Sequence, residues 1–264
     1  MAFDIAGVRQ HVPSKGKAIV YWLGGAGFAL KFSGGEIICV DPYLSDAAER
    51  LFGFRRLSLA PVKAGDLACD LLLITHDHAD HLDIDSFDAI LKANPGCRVL
   101  APECCCDFLK SKKAAYDVVS PGVVSQLGQV TVKTVPADHG DLCPSAVGFV
   151  IGFAGRSVYL TGDTGFDENL MSEAIEVQPE IVIPCINGVY GNMNEREAAI
   201  LAGKCGARIA IPSHFWLFAE HGGSPARFRE SLKADATATD LLLLTPGRGA
   251  EVWGRSASRE DVSC

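Results

Sequence analysis

L-L-L-I-T-H-D-H-A-D-H, Leu71 to His81, is the stretch on which the fold turns. Its first five residues form a continuous apolar run of strand length, the pattern of a strand covered on both faces. The run then ends abruptly in His76, Asp77, His78, Ala79, Asp80 and His81. The whole chain has only 7 His, so three within six positions is not an effect of composition. Ionisable groups packed this densely behind a buried strand are costly to desolvate unless a cation compensates them. His76 and His78, two apart in an extended loop, point the same way and can share one ion. Asp80 and His81 then turn toward a second position. Neutral imidazole with carboxylate suits Zn²⁺, and also Mn²⁺ or Fe.

Four ligands in one loop cannot complete two coordination spheres, so others are expected elsewhere. Working outward, each appears at the same kind of place. Q-V-T-V-K-T-V-P-A-D runs into His139, S-V-Y-L-T-G into Asp163, and A-R-I-A-I-P-S into His214. In each case a strand finishes and one ligand-type side chain follows its carboxyl end, where sheet-based enzymes collect their site residues.

The rest of the chain supplies the frame for these strand ends. Ala18–Leu23, Phe28–Phe32 and Glu36–Val40 are short strands separated by G-G-A-G and S-G-G, which reads as hairpins. Helices are expected from about Asp85 to Ala93, after Pro102, near Asp167, from Asn194 with an Asn-x-x-Glu capping box, and from Ser224-Pro225. Further strands are expected at Arg98–Ala101, Glu180–Pro184 and Leu241–Thr245. Strand sets with interleaved helices in both halves suggest two sheets face to face with helices outside. A single domain over 1–264 is expected, with 1–17 and the tail 254–264 loosely ordered.

Of the 264 residues, 48% are hydrophobic and 21% charged, which excludes disordered, collagen-like and coiled-coil classes. Lys+Arg is 24 against 32 Asp+Glu, a net charge of −8 that offers no footprint for nucleic acid or an anionic membrane. The longest apolar stretch, Val147–Gly155, is too short to span a bilayer. The amino terminus lacks the apolar core of a secretory signal, so a cytoplasmic location with reduced thiols is expected. The 10 Cys include no C-x-x-C pair, and most sit inside apolar strings, as in E-I-I-C-V. They read as core fillers without chemistry.

Taken together, H-x-H-x-D-H followed by a His, an Asp and a His resembles the metallo-β-lactamase superfamily, from about Ala18 to Thr245. The resemblance implies an αββα four-layer sandwich of the α/β (α+β) class with the site at one edge of the two sheets. It implies that His76, His78 and His139 hold one metal, that Asp80, His81 and His214 hold a second, and that Asp163 bridges them. Y-W-L-G-G-A-G-F-A-L-K-F-S-G-G-E-I-I-C-V-D-P-Y-L-S, I-T-H-D-H-A-D-H-L-D, L-T-G-D-T-G and I-P-S-H-F-W-L-F further resemble the UlaG-type hydrolases, named for L-ascorbate-6-phosphate lactonase. This chain is considerably shorter than that lactonase, whose insertions would shape a pocket. What carries over is metal-dependent hydrolysis, not the substrate. Glyoxalase II and the acyl-homoserine-lactone lactonases place the third His in T-P-G-H, where this chain has A-D-H-G, whereas lipid-cleaving relatives share the W-L-G opening.

The expected activity is therefore hydrolysis of a small ester, lactone or sugar-phosphate lactone with two divalent ions, Zn or Mn, Fe being compatible. A metal lowers the pKa of its bound water to roughly 7, so hydroxide is available without a Ser or Cys nucleophile. Asp163, Asp80 and Asn187 are the candidate catalytic residues, and Tyr190, Asn192 and Phe215 the candidate substrate contacts. Phe215 to Phe218 forms either core or one pocket wall. Asp41 is a candidate support for the ligands, Asp77 is either such a support or a solvated carboxylate, and His221 and His11 read as surface residues. The alternatives are a phosphodiesterase acting on a phospholipid or nucleotide, and a metal-binding protein without turnover. The expected partner is a small molecule; a homo-oligomer is compatible with the sequence.

Overall fold

The computed structural model describes residues 3–253. The expectation for the tail 254–264, which contains Cys264, lies outside them. Two mixed sheets form the frame. The first has the order β1 (Phe3–Asp4), β15 (Arg248–Val252), β2 (Ala18–Gly24), β3 (Gly27–Phe32), β4 (Ile37–Val40), β5 (Leu71–Leu73), β6 (Arg98–Ala101), β7 (Asp117–Val118). The second runs β14 (Asp240–Leu241), β13 (Ile209–Ala210), β12 (Ile181–Ile183), β11 (Arg156–Leu160), β10 (Val147–Phe153), β9 (Val130–Pro136), β8 (Val124–Leu127). The α/β sandwich expected from the sequence is the fold observed.

Period-two alternation in β2 shows how the layers arise. Ala18, Val20 and Trp22 enter the core between the sheets, with Phe28, Leu30, Phe149, Ile151, Val158 and Ile183. Ile19, Tyr21 and Leu23 enter a second core on the outer face of the first sheet. That outer core is completed by Phe87 and Ile90 of α2 (Phe87–Ala93) and Leu109 of α3 (Cys106–Ser111). On the second sheet, α5 (Glu195–Lys204) and α6 (Pro225–Asp235) bury Ala198, Leu201, Phe228 and Leu232. Each fully buried Leu, Ile or Phe contributes about 1.5–3 kcal/mol, so the inter-sheet core dominates stability.

Local chemistry explains several boundaries. Asn194 caps α5 by accepting from the N–H of Arg196 and of Glu197, and Glu197 accepts from the Asn194 N–H, the reciprocal box expected. Ser224 caps α6 from the position before Pro225. Asp167 caps a turn instead of a helix: it accepts from the N–H groups of Asn169 and Leu170, and α4 (Ser172–Glu176) starts later. The apolar run Leu241–Thr245 predicts the last strand. Only Asp240–Leu241 pairs, because its partner β13 is itself two residues long, and Leu243 is exposed. The last strand is β15, which returns to the first sheet between β1 and β2. The segment expected to be loose before Ala18 is anchored: Phe3 and Asp4 pair with Gly249 and Arg248, and Ile5 and Val8 are buried.

Strand direction positions the site. β4, β5 and β6 are mutually parallel, as are β11, β12, β13 and β14. β9 and β11 both run antiparallel to β10, so they share a direction. Within each sheet, the carboxyl ends of these strands therefore lie along one edge. The remaining helix, α1 (Ala47–Phe52), follows β4.

Candidate metal centre

Asp41 follows β4 and is the keystone of the cluster. It is fully buried in a left-handed conformation, φ 44°. The Thr75 N–H donates to its Oδ1 at 2.8 Å, and the Thr75 hydroxyl donates to its Oδ2 at 2.6 Å. His81 Nδ1 lies 2.7 Å from the same Oδ2. A carboxylate only accepts, so Nδ1 carries a proton directed at Asp41, and Nε2 is the ring atom left to face the site. Having given its own proton to Asp41, the Thr75 hydroxyl can accept from His76 Nδ1 at 2.9 Å. His76 Nε2 is left to face the site in the same way. The carboxylate behind the histidines is only a candidate in the sequence; Thr75 carries no signal there, since its role depends on Asp41, 34 positions away.

The seven expected ligands come together in overlapping groups. His76, His78 and His139 form one set, Asp80, His81 and His214 another, and His76, His81 and Asp163 a third; within each, one ligand atom per residue lies within 4.8 Å of the others. Ring nitrogens face one another at 2.9 Å (His76 Nε2 and His78 Nδ1), 3.1 Å (His81 Nε2 and His214 Nε2) and 3.3 Å (His139 Nε2 and His78 Nδ1). Asp163 stands between the sets, its Oδ1 3.2 Å from His214 Nε2 and 3.4 Å from His81 Nε2, its Oδ2 3.9 Å from His139 Nε2. Asp163 Oδ1 is buried without a hydrogen-bond partner. Facing ring nitrogens and an orphaned carboxylate oxygen are what a cation would satisfy.

The electrostatics carry the same strain. Burial lowers the pKa of His76 well below the usual range, aided by His81. Burial also opposes charge on His81 and His214, yet the carboxylates, Asp163 foremost, raise both. Burial opposes ionisation of Asp163 and Asp80 too, but the adjacent histidines, His214 and His81 for Asp163 and His81 first for Asp80, pull both down. The site therefore holds like and unlike charges at contact distance in a dry setting.

Backbone geometry fixes the loops. Gly162 has φ +64°, and a Cβ there would meet the Val147 carbonyl oxygen at 2.9 Å and Thr75 Cγ2 at 3.0 Å. Only glycine turns the chain into Asp163 at this point. His214 is left-handed at φ 56°, and its N–H donates to the Gly25 carbonyl at 2.9 Å, tying the second sheet's loop to the β2–β3 hairpin.

The surrounding candidates divide. Asn192, expected as a substrate contact, donates from Nδ2 to Asp163 Oδ2 at 2.7 Å and so orients that carboxylate, while its Oδ1 is buried without a partner. Phe215 belongs to the core, stacked on Trp22 at 4.9 Å between ring centres, because the chain reverses at left-handed His214 and Trp216. Trp216, not Phe215, is exposed. Asn187 is 2% exposed, and neither of its amide atoms has a partner. Tyr190 is 45% exposed, with its ring 6.3 Å from those of His221 and Phe54. His221, expected at the surface, is 8% exposed and stacked on His214 at 4.5 Å. Burial and then His214 lower its pKa to about 3, so it is neutral. Its only sequence signal is its place seven residues after His214.

Residues 37–215 match the family model of the β-lactamase superfamily domain. The chain belongs to the metallo-β-lactamase superfamily. Within it, the chain belongs with the UPF0173 metal-dependent hydrolases. The member from Thermoplasma acidophilum is 30% identical over 216 residues, covering 80% of this chain and 88% of that protein. The member from Archaeoglobus fulgidus is 29% identical over 248 residues, covering 88% and 98%. Among solved structures, Igni18, a metallo hydrolase from Ignicoccus hospitalis, superposes with a TM-score of 0.73 at 20% identity, covering 89% of this chain and 98% of that one. The last likeness concerns the fold alone. No helix among the described residues is long and apolar enough to cross a membrane.

Proposed function

We propose that this metal-dependent hydrolase acts on a small ester or lactone, with two divalent cations held by His76, His78 and His139 on one side and by Asp80, His81 and His214 on the other, Asp163 lying between them. The observation that carries the reading is the facing of ring nitrogens around the orphaned Oδ1 of Asp163. Bound there, divalent cations supply a water of lowered pKa and a Lewis acid for the substrate oxygen.

The chain's own residues do the rest. Asp41 and Thr75 keep the proton of His81 and His76 on Nδ1, away from the site. Asn192 orients Asp163 through the hydrogen bond from its Nδ2 to Oδ2. Asn187, with an amide N–H₂ free of protein partners, is suited to donate to an oxygen that gains charge during hydrolysis. Neutral His221 and the exposed Tyr190 line the approach. The largest charge effects on His76, Asp163 and His214 come from one another and from neighbouring His and Asp groups. That balance favours an uncharged ester or lactone carbonyl over a phosphodiester, whose anion would call for a cationic side chain. Ascorbate 6-phosphate would need such a side chain for its phosphate.

The test pairs elemental analysis of the purified protein with a panel of lactones and aryl esters set against bis-nitrophenyl phosphate. Lactone or ester turnover with stoichiometric metal, abolished together with bound metal in His76→Ala and Asp163→Ala, is expected. Turnover of the phosphodiester alone would replace the acyl reading by the phosphodiesterase one. Stoichiometric metal without hydrolysis of any ester class would replace it by a structural metal clip.

A further inference from the structure

A separate group of ligand-type side chains converges beside the cluster, from three segments far apart in sequence. Asp77, Cys104 and Cys143 bring one carboxylate oxygen and two Sγ atoms within 4.8 Å of one another. Asp77 lies in the loop after β5, Cys104 in the 3-10 turn Glu103–Cys105 after β6, and Cys143 just after the 3-10 turn Gly140–Leu142 that follows β9. The arrangement is built, not incidental to one loop: the Cys104 N–H donates to Ser145 Oγ at 3.2 Å, and the Ala146 N–H donates to the Cys143 carbonyl at 3.1 Å. Cys143 is buried, Cys104 half-buried and Asp77 exposed.

The two thiols differ in a useful way. Cys105 Sγ lies 4.0 Å from Cys104 Sγ, and its hydrogen bond, against burial and with help from Ser145 and Cys143, brings the Cys104 thiol down to about 6. Burial and then Cys104 push Cys143 up to about 12. Cys104 is thus the more readily ionised of the two thiols, and a metal ion bound between them displaces the proton of the other.

We propose that Asp77, Cys104 and Cys143 form a third cation site that binds one thiophilic divalent ion of the Zn²⁺ or Cd²⁺ kind, with solvent as the fourth ligand. Two thiolates and a carboxylate suit a tetrahedral ion of this softness, whereas the His/Asp cluster contains no sulfur. Because Asp77 stands between His76 and His78, an ion here ties the ligand loop to the turn after β6 and to the approach to β10.

The experiment uses the full chain, stripped by chelator and kept reduced, and titrates it with Cd²⁺ and separately with Mn²⁺. The readouts are the ultraviolet thiolate-to-metal charge-transfer absorption and the bound equivalents by elemental analysis. Wild type is expected to bind one more equivalent of Cd²⁺ than of Mn²⁺ and to show the thiolate band with Cd²⁺ only. Cys104→Ser is expected to lose the band and that equivalent with an unchanged circular dichroism spectrum. Asp77→Asn is expected to keep the band and weaken the extra Cd²⁺ by about tenfold or more. Should Cys143→Ser not fold, the half-buried Cys104 and exposed Asp77 variants carry the test. The proposal is overturned if wild type shows no thiolate band. It is equally overturned if the band survives Cys104→Ser, or is lost instead in Cys97→Ser, whose thiol lies 3.6 Å from Cys69.

Discussion

Asp41 Oδ2 lies 2.7 Å from Nδ1 of His81, and it is the same oxygen that receives the Thr75 hydroxyl. One buried carboxylate thus sets the tautomer of His81 directly and of His76 through Thr75. Asp41→Asn can place an N–H₂ against Nδ1, which moves the His81 proton to Nε2, where the cation should bind. Metal affinity is expected to fall about 10–100-fold, measured by competition with a chromophoric chelator. Unchanged affinity would mean that the carboxylate only braces the loop.

Asn192 Nδ2 donates to Asp163 Oδ2. Asn192→Ala frees Oδ2 of Asp163 from its 2.7 Å hydrogen bond, so kcat should drop about 10–100-fold with KM little changed. A rise in KM at constant kcat would restore Asn192 to the role of a substrate contact.

Gly162→Ala tests whether the turn into Asp163 is conformationally imposed. The left-handed backbone alone costs an alanine about 1–2 kcal/mol, and the close approach to the Val147 carbonyl adds to it. Urea unfolding of the metal-free protein should show the loss, and the variant should bind metal more weakly because Asp163 is displaced. Wild-type stability would place the turn's glycine among neutral choices.

Asn194→Ala removes a helix cap distant in role from the chemistry. Stability is expected to fall by about 1 kcal/mol in urea unfolding, with metal content and turnover retained. A loss of turnover at full metal occupancy would show that the loop before α5 sets the position of Asn187.

Much of the frame is legible in the amino-acid sequence. Leu71–Thr75 reads as a buried strand, of which Leu71–Leu73 pairs with neighbours on both sides, and the helix starts at Asn194 and Ser224 read correctly because a cap is a local hydrogen-bond pattern. Strand lengths are less legible. Leu241–Thr245 is as apolar as Leu71–Thr75, but a strand extends only as far as its partner, and β13 offers two residues.

The sequence by itself pointed to the superfamily and to a cluster of seven His and Asp side chains, since His or Asp recurs at the carboxyl ends of strands and strand direction brings those ends to one edge. Tertiary structure alone decided what supports and surrounds them. Asp41 reaches His81 across 40 positions, His221 is folded in against His214 by left-handed turns, and Phe215 is rotated into the core. Cys104 and Cys143 carry no metal signal in sequence because no C-x-x-C or other paired spacing joins them. Their neighbours in space are a carboxylate and each other, and coordination chemistry depends on the neighbours in space, which only the packing of three separate loops brings together.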